Sequence, residues 1–146
     1  MIDLQLAMRL KAAGLVWHPR PGDRFAVPQP ELLGQVFTLS DMTIEVHQRP
    51  TGPVLGFNGT TEWALDSVQA ADAVWLPAEH QLRQLLGPAF RRLQVRPATS
   101  GDGDADQQDF EVLIASRGGP DRSFHAPVAE DAYAGALLDL VERATG

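Results

Sequence analysis

The sequence predicts an α+β protein: an antiparallel sheet meander with an N-terminal, a middle and a C-terminal helix packed on it. Three observations lead there. Apolar residues recur at helical spacing near both ends and once in the middle, as Leu6, Leu10 and Ala13, then Leu82, Leu85 and Leu86, then Ala132, Ala136 and Leu140. Between Phe25 and Leu65 the period falls to two, and the runs are separated by Pro, Gly, Ser and Asp. Asn58-Gly59, which accepts the positive φ angles of a two-residue hairpin, stands between the runs 54–57 and 60–63.

In chain order, Asp3 is placed to cap a helix over 4–13, and Gly14 to end it in a left-handed turn. Strands are expected over 24–27, 35–39, 43–47, 54–57 and 60–65, with Ser40-Asp41 as a second tight turn. A short helix follows over 67–71, and Val74-Trp75 is an apolar anchor. Residues 78–86 form the middle helix, with Glu79 in the first turn, where the helix dipole favours an acid, and Gly87-Pro88 as its stop. A strand over 90–96 precedes a loop over 97–108 that is poor in apolar residues. Strands at 110–115 and 123–126 flank the turn Arg117-Gly118-Gly119-Pro120-Asp121, and the last helix covers 129–144 with Leu137 and Val141 also facing inward. No linker composition interrupts the chain, so residues 1–146 are expected to form a single domain.

Two blocks share one spelling. Residues 12–19 and 70–77 both read A-A-x-x-V-W-x-P, at an offset of 58 residues. Their flanks do not align, so the shared element is a packing anchor: a bulky apolar pair followed by a proline that supplies no N–H to the next ladder position. Trp17, Trp63 and Trp75 are accordingly expected in or at the rim of the core.

Composition excludes several chemistries. With no Cys, there are no disulfides, thiolate metal sites or cysteine nucleophiles. No apolar run approaches the roughly 18 residues of a membrane helix, and no basic-then-apolar leader opens the chain, so a cytoplasmic location without membrane contact is expected. Eleven of the twelve basic residues are Arg, the exception being Lys11. A net charge of −7 disfavours nucleic acid and favours a basic protein partner.

Catalytic and metal signatures are incomplete. The segment holding Asp102, Asp104 and Asp106 starts like a calcium loop, then places Gln107 where the turn needs Gly and Leu113 where a bidentate Glu closes the shell. These three carboxylates are the candidate metal ligands, and no cofactor is implied. His18, His47, His80 and His125 are scattered, without H-E-x-x-H order. Glu45 and His47 share a strand face near Asp41, the arrangement a metal-dependent hydrolase would use together with the acidic loop. Ser40, Ser67, Ser100, Ser116 and Ser123 sit in no G-x-S-x-G or S-x-x-K motif, and no phosphate-cradling glycine loop is present. The candidate binding residues are Arg92, Gln94 and Arg96, which alternate with Leu93 and Val95 and so form a basic row on one strand face. Intramolecular pairing with the acidic loop is the expected role of that row.

Gly14-Leu15-Val16-Trp17 with Pro21-Gly22-Asp23, the stretch from Phe57-Asn58-Gly59 to Leu65-Asp66, and the phrase W-L-P-A-E-H-Q-L-R-Q-L-L over 75–86 together resemble small proteins encoded by bacteriophages and prophages. Residues 110–144 resemble HicB antitoxins: a strand, a glycine-containing turn, a strand, then Glu130-Asp131-Ala132 opening a helix. That resemblance implies binding of a small basic toxin through a strand-and-helix layer. The chain departs from the pattern at His125-Ala126-Pro127-Val128, and no DNA-binding segment follows. The sequence therefore favours a non-enzymatic binding or accessory protein of phage or prophage type acting through protein–protein contact. A HicB-like antitoxin and a metal-dependent hydrolase are the alternatives.

Overall fold

Asp3 begins the first helix as its side chain implies, accepting the Leu6 N–H on Oδ2 at 3.4 Å. This helix, α1 (Leu4–Ala12), ends where Ala13 N–H donates to Arg9 C=O and Gly14 turns to φ 113°, a conformation that suits a residue without Cβ. The protein is described here by a computed structural model over residues 1–32, 34–39, 44–49, 52–57, 67–69, 72–97 and 108–145. It is a mixed α+β structure with N-terminal, middle and C-terminal helices and antiparallel sheets. Two compact units are formed, Met1–Leu15 with Ala78–Gly146, and Val16–Pro77.

In the first unit, α2 (Glu79–Leu86) starts where the Ala78 N–H donates to Gln81 Oε1 at 2.9 Å, and it stops at Gly87 with φ 58°. Three strands follow, β7 (Phe90–Pro97), β8 (Gln108–Ile114) and β9 (Arg122–Ala126), paired antiparallel in that order. The last helix, α3 (Ala129–Thr145), packs on β8, β9, α1 and α2. A Cβ built on Gly135 of α3 would lie 3.6 Å from Phe124, so the face carrying Phe124 and its cross-strand neighbours Val112 and Leu93 is the one under the helix. Leu10, Leu82, Val112, Ile114, Ala134 and Ala136 are buried here, each large aliphatic side chain stabilising by about 1.5–3 kcal/mol through burial. Tyr133 is buried as well: its ring stacks on Phe90 at 5.7 Å and its hydroxyl donates to Glu79 Oε1 at 3.4 Å, while Arg83 lies 4.7 Å over the Phe90 ring.

The second unit holds two further three-stranded sheets. One joins β1 (Arg24–Ala26) to β2 (Phe37–Thr38) and β6 (Val74–Leu76) in the order β2-β1-β6. Its core is Phe25, Val27, Leu32, Leu39 and Ala73. The tryptophans of the two repeated blocks meet one residue. Trp17 packs on Phe25 with ring centroids 5.4 Å apart, and Trp75 is the register partner of Phe25 across β1 and β6. Asp23 is buried and accepts the Trp17 indole N–H at 2.9 Å and the Arg20 N–H at 3.1 Å. The other sheet is β3 (Ile44–Arg49), β4 (Gly52–Phe57) and β5 (Ser67–Gln69), in the order β3-β4-β5.

Two differences from the sequence reading have physical causes. The continuous meander is divided, among the described residues, into three sheets of three strands, because several runs are only two or three residues long and each closes on its nearest partners. Residues 67–69 are a strand, not a helix, since a five-residue helix falls below the length that repays nucleation whereas β4 offers a ready ladder. β4 pairs on one side with β3 and on the other with β5, in the register Leu55↔Val68. Asn58-Gly59, Ser40-Asp41, Trp63 and 60–65 lie outside the described residues.

Candidate interaction site

The face of β7, β8 and β9 turned away from α3 carries a polar constellation. Strand alternation places Arg92, Gln94 and Arg96 there, as expected, and the register sets them beside Leu113, Glu111 and Asp109 of β8. His125 of β9 is the partner of Glu111 on the other side. Arg92 Nη2 lies 3.6 Å from Glu111 Oε1, and Arg96 Nη2 lies 3.2 Å from Glu111 Oε2. Arg96 Nη2 also donates to Gln94 Oε1 at 3.4 Å. His125 bridges two acids, with Nδ1 at 2.9 Å from Asp109 Oδ2 and Nε2 at 3.5 Å from Glu111 Oε2.

Burial is uneven across this cluster. The Glu111 side chain is 7% exposed, whereas those of Arg92 and Arg96 are 57% and 49% exposed. The carboxylate is thus roofed by its own arginines, and solvent meets guanidinium. Each guanidinium has five donors and uses its Nη2 in the contacts named above, which leaves further donors on two half-exposed side chains.

Among the described residues, the acid that pairs with Arg92 and Arg96 is Glu111 on the adjacent strand. Asp102, Asp104 and Asp106 lie outside the described residues, as do Asp41, Ser40 and Ser100. Sequence reasoning missed Glu111 and placed His125 only among the scattered histidines. The period-two pair Asp109 and Glu111 was the available signal, but its relation to Arg92 and Arg96 appears only once β7 and β8 are paired. Glu45 and His47 occupy β3 at positions opposite Gly56 and Val54. His18 and His80 are exposed, the first ahead of β1 and the second on α2. Among the described residues no group of three or more His, Asp or Glu side chains is arranged to hold a metal ion.

The edge of this sheet is its second feature. Among the described residues β7 has one strand neighbour, β8. The Ala115 N–H donates to Ala89 C=O at 2.8 Å, so position 115 faces the β7 side of the ladder. By alternation Leu113, Glu111 and Asp109 do the same, and their partners Arg92, Gln94 and Arg96 bond back to β8. The N–H and C=O groups of Leu93 and Val95 consequently point to the side of β7 that no described strand occupies. Pro97 falls on the same outward parity, where its missing N–H removes nothing from the ladder with β8. A register shift between Phe90 and Arg92 marks the other end of the edge. Val95, on that side of the strand, is 51% exposed.

No helix among the described residues is long and apolar enough to cross a membrane. Compared with protein-family models, with curated proteins and with solved structures, the chain matches none of them.

Proposed function

We propose that this is a non-enzymatic binding protein, of the accessory kind found in phages and prophages, that takes a protein partner as an added strand along β7. The outward N–H and C=O groups of Leu93 and Val95, on an eight-residue edge strand, carry this reading. Each backbone hydrogen bond formed with an incoming strand contributes about 0.5–1.5 kcal/mol net, so four or five of them with side-chain contacts reach the range of a reversible complex. The exposed Val95 side chain gives such a strand an apolar contact next to the ladder.

Val95→Pro removes one outward donor while leaving the β7–β8 ladder intact, because position 95 does not bond to β8. Wild-type and Val95→Pro chains with matching circular dichroism serve as baits in extracts of the cell that encodes them. A protein retained by the first and lost by the second supports strand addition; equal retention by both removes β7 from the role. In the free protein the Leu93 and Val95 amides are expected to exchange with solvent far faster than those of Arg92, Gln94 and Arg96, and to become protected on binding.

A HicB-like antitoxin is the second reading, supported by the order strand, turn, strand, helix across β8, β9 and α3. Its partner is a small basic protein, and a complex with such a protein that survives Val95→Pro favours it over strand addition on β7.

A further inference from the structure

Resting on the strand-addition reading, we infer that the segment received by β7 is acidic, with carboxylates four residues apart that meet Arg92 and Arg96. β7 carries three arginines, Arg91, Arg92 and Arg96, and no acidic residue. All three are about half exposed, at 56%, 57% and 49% of their side-chain surface. Glu111 beneath Arg92 and Arg96 is shielded by them, Asp109 is held on the β9 side by His125 Nδ1 at 2.9 Å, and Asp121 pairs with Arg91 at 3.9 Å, so along the outer side of β7 an approaching strand meets Arg92 and Arg96 first.

Ladder geometry sharpens the inference. Because Leu93 and Val95 would make the hydrogen-bonded pairs with a new strand, Arg92, Gln94 and Arg96 fall at its non-hydrogen-bonded pairs, where opposing Cα atoms are about 4.5 Å apart and side chains are closest. Arg92 and Arg96 are separated by about 13 Å along the strand, the reach of residues i and i+4 of the partner. The positions between them alternate: the one opposite Gln94 is polar, and those opposite Leu93 and Val95 are apolar. The recognised pattern is acid, apolar, polar, apolar, acid.

Other occupants fit less well. Antiparallel pairing of β7 with a second copy centred on Gln94 sets arginine against arginine twice, and like charges directly opposed are destabilising. A nucleic acid cannot use the outward N–H and C=O groups as a ladder, and the net charge of −7 repels it.

Two synthetic peptides with a common frame provide the test, one containing Glu-Val-Thr-Val-Glu and the other Lys-Val-Thr-Val-Lys. They are titrated into the full chain at physiological ionic strength and followed by amide chemical shifts and exchange protection at Leu93 and Val95. The acidic peptide is expected to bind about tenfold more tightly than the basic one, the combined effect of two cross-strand charge pairs made in one case and two repulsions in the other. Arg92→Gln combined with Arg96→Gln abolishes that preference. Raising the salt to about 1 M does the same in the wild-type protein without any substitution, since the screening length is then about 3 Å. Equal binding of the two peptides, or a preference for the basic one, overturns the acidic pattern and leaves strand addition standing. Absence of binding by both, with Leu93 and Val95 amides unchanged, overturns strand addition and this inference together.

Discussion

Glu111 shows how one side chain organises a surface. A buried carboxylate is costly to strand alone, and here Arg92, Arg96 and His125 surround it. Replacing it by Gln removes the shared charge while keeping the shape. Because both arginines are half exposed and can turn to water, Glu111→Gln is expected to cost only about 1 kcal/mol in urea unfolding. The same change leaves the two guanidiniums unneutralised and should widen the preference for an acidic over a basic peptide. An unchanged or narrowed preference would show that Glu111 does not set the charge of this face. Tyr133 supports a second prediction at this scale. Burial, reinforced by the Glu79 carboxylate, holds its phenol above the ordinary value, with Arg83 acting in the opposite direction. A group whose folded value is raised contributes stability that is fully present below the unfolded value, about 10, and is lost as pH rises through the folded value. The urea midpoint should therefore decline above about pH 10, and Tyr133→Phe should remove that component. Tyr133 is the only tyrosine in the chain, so its phenolate absorbance reports the titration directly.

At the scale of elements, α3 buries small residues, and one of them meets the sheet. Ala134 and Ala136 are fully buried, and Gly135 lies between them over Phe124. A Cβ at Gly135 would stand 3.6 Å and 3.9 Å from Phe124 atoms, which is ordinary contact, in a helix interior where glycine is the weaker choice. Gly135→Ala is expected to stabilise the protein by about 0.5–1 kcal/mol in denaturant unfolding. Destabilisation would mean that Phe124 cannot accept the added methyl. The strands illustrate the opposite situation, in which local preference is weak and partners decide. Residues 67–69 read as helix in isolation and are recruited as a strand by β4.

At the scale of the molecule, the repeated A-A-x-x-V-W-x-P blocks acquire a meaning. The unit Val16–Pro77 begins within the first block and ends on the proline of the second, and both tryptophans address Phe25. Charge acts at this scale too. The chain as a whole is acidic, at −7, while β7 is basic. At low ionic strength the net charge repels an acidic ligand, and at high ionic strength the local pairs are screened. The affinity for the acidic peptide is accordingly expected to peak near the salt concentration where the screening length is about 8 Å, long enough to spare contacts at β7 and short enough to mute the rest. A steady fall from the lowest salt upward would place the controlling charges locally and give the net charge no part.

The order and type of the helices, the strands around 24–27, 44–47, 54–57, 90–96 and 110–114, and the basic row of Arg92, Gln94 and Arg96 were legible from the chain alone. They follow from periodicity, caps and turn residues, which act over a few neighbouring positions. Tertiary structure decided which strands pair, that 67–69 extends, that Glu111 lies against Arg92 and Arg96, and that Leu93 and Val95 turn their backbone groups to the side of β7 that no described strand occupies. Those outcomes depend on register, and register is set by residues distant along the chain that compete for the same ladder, so no local pattern encodes it.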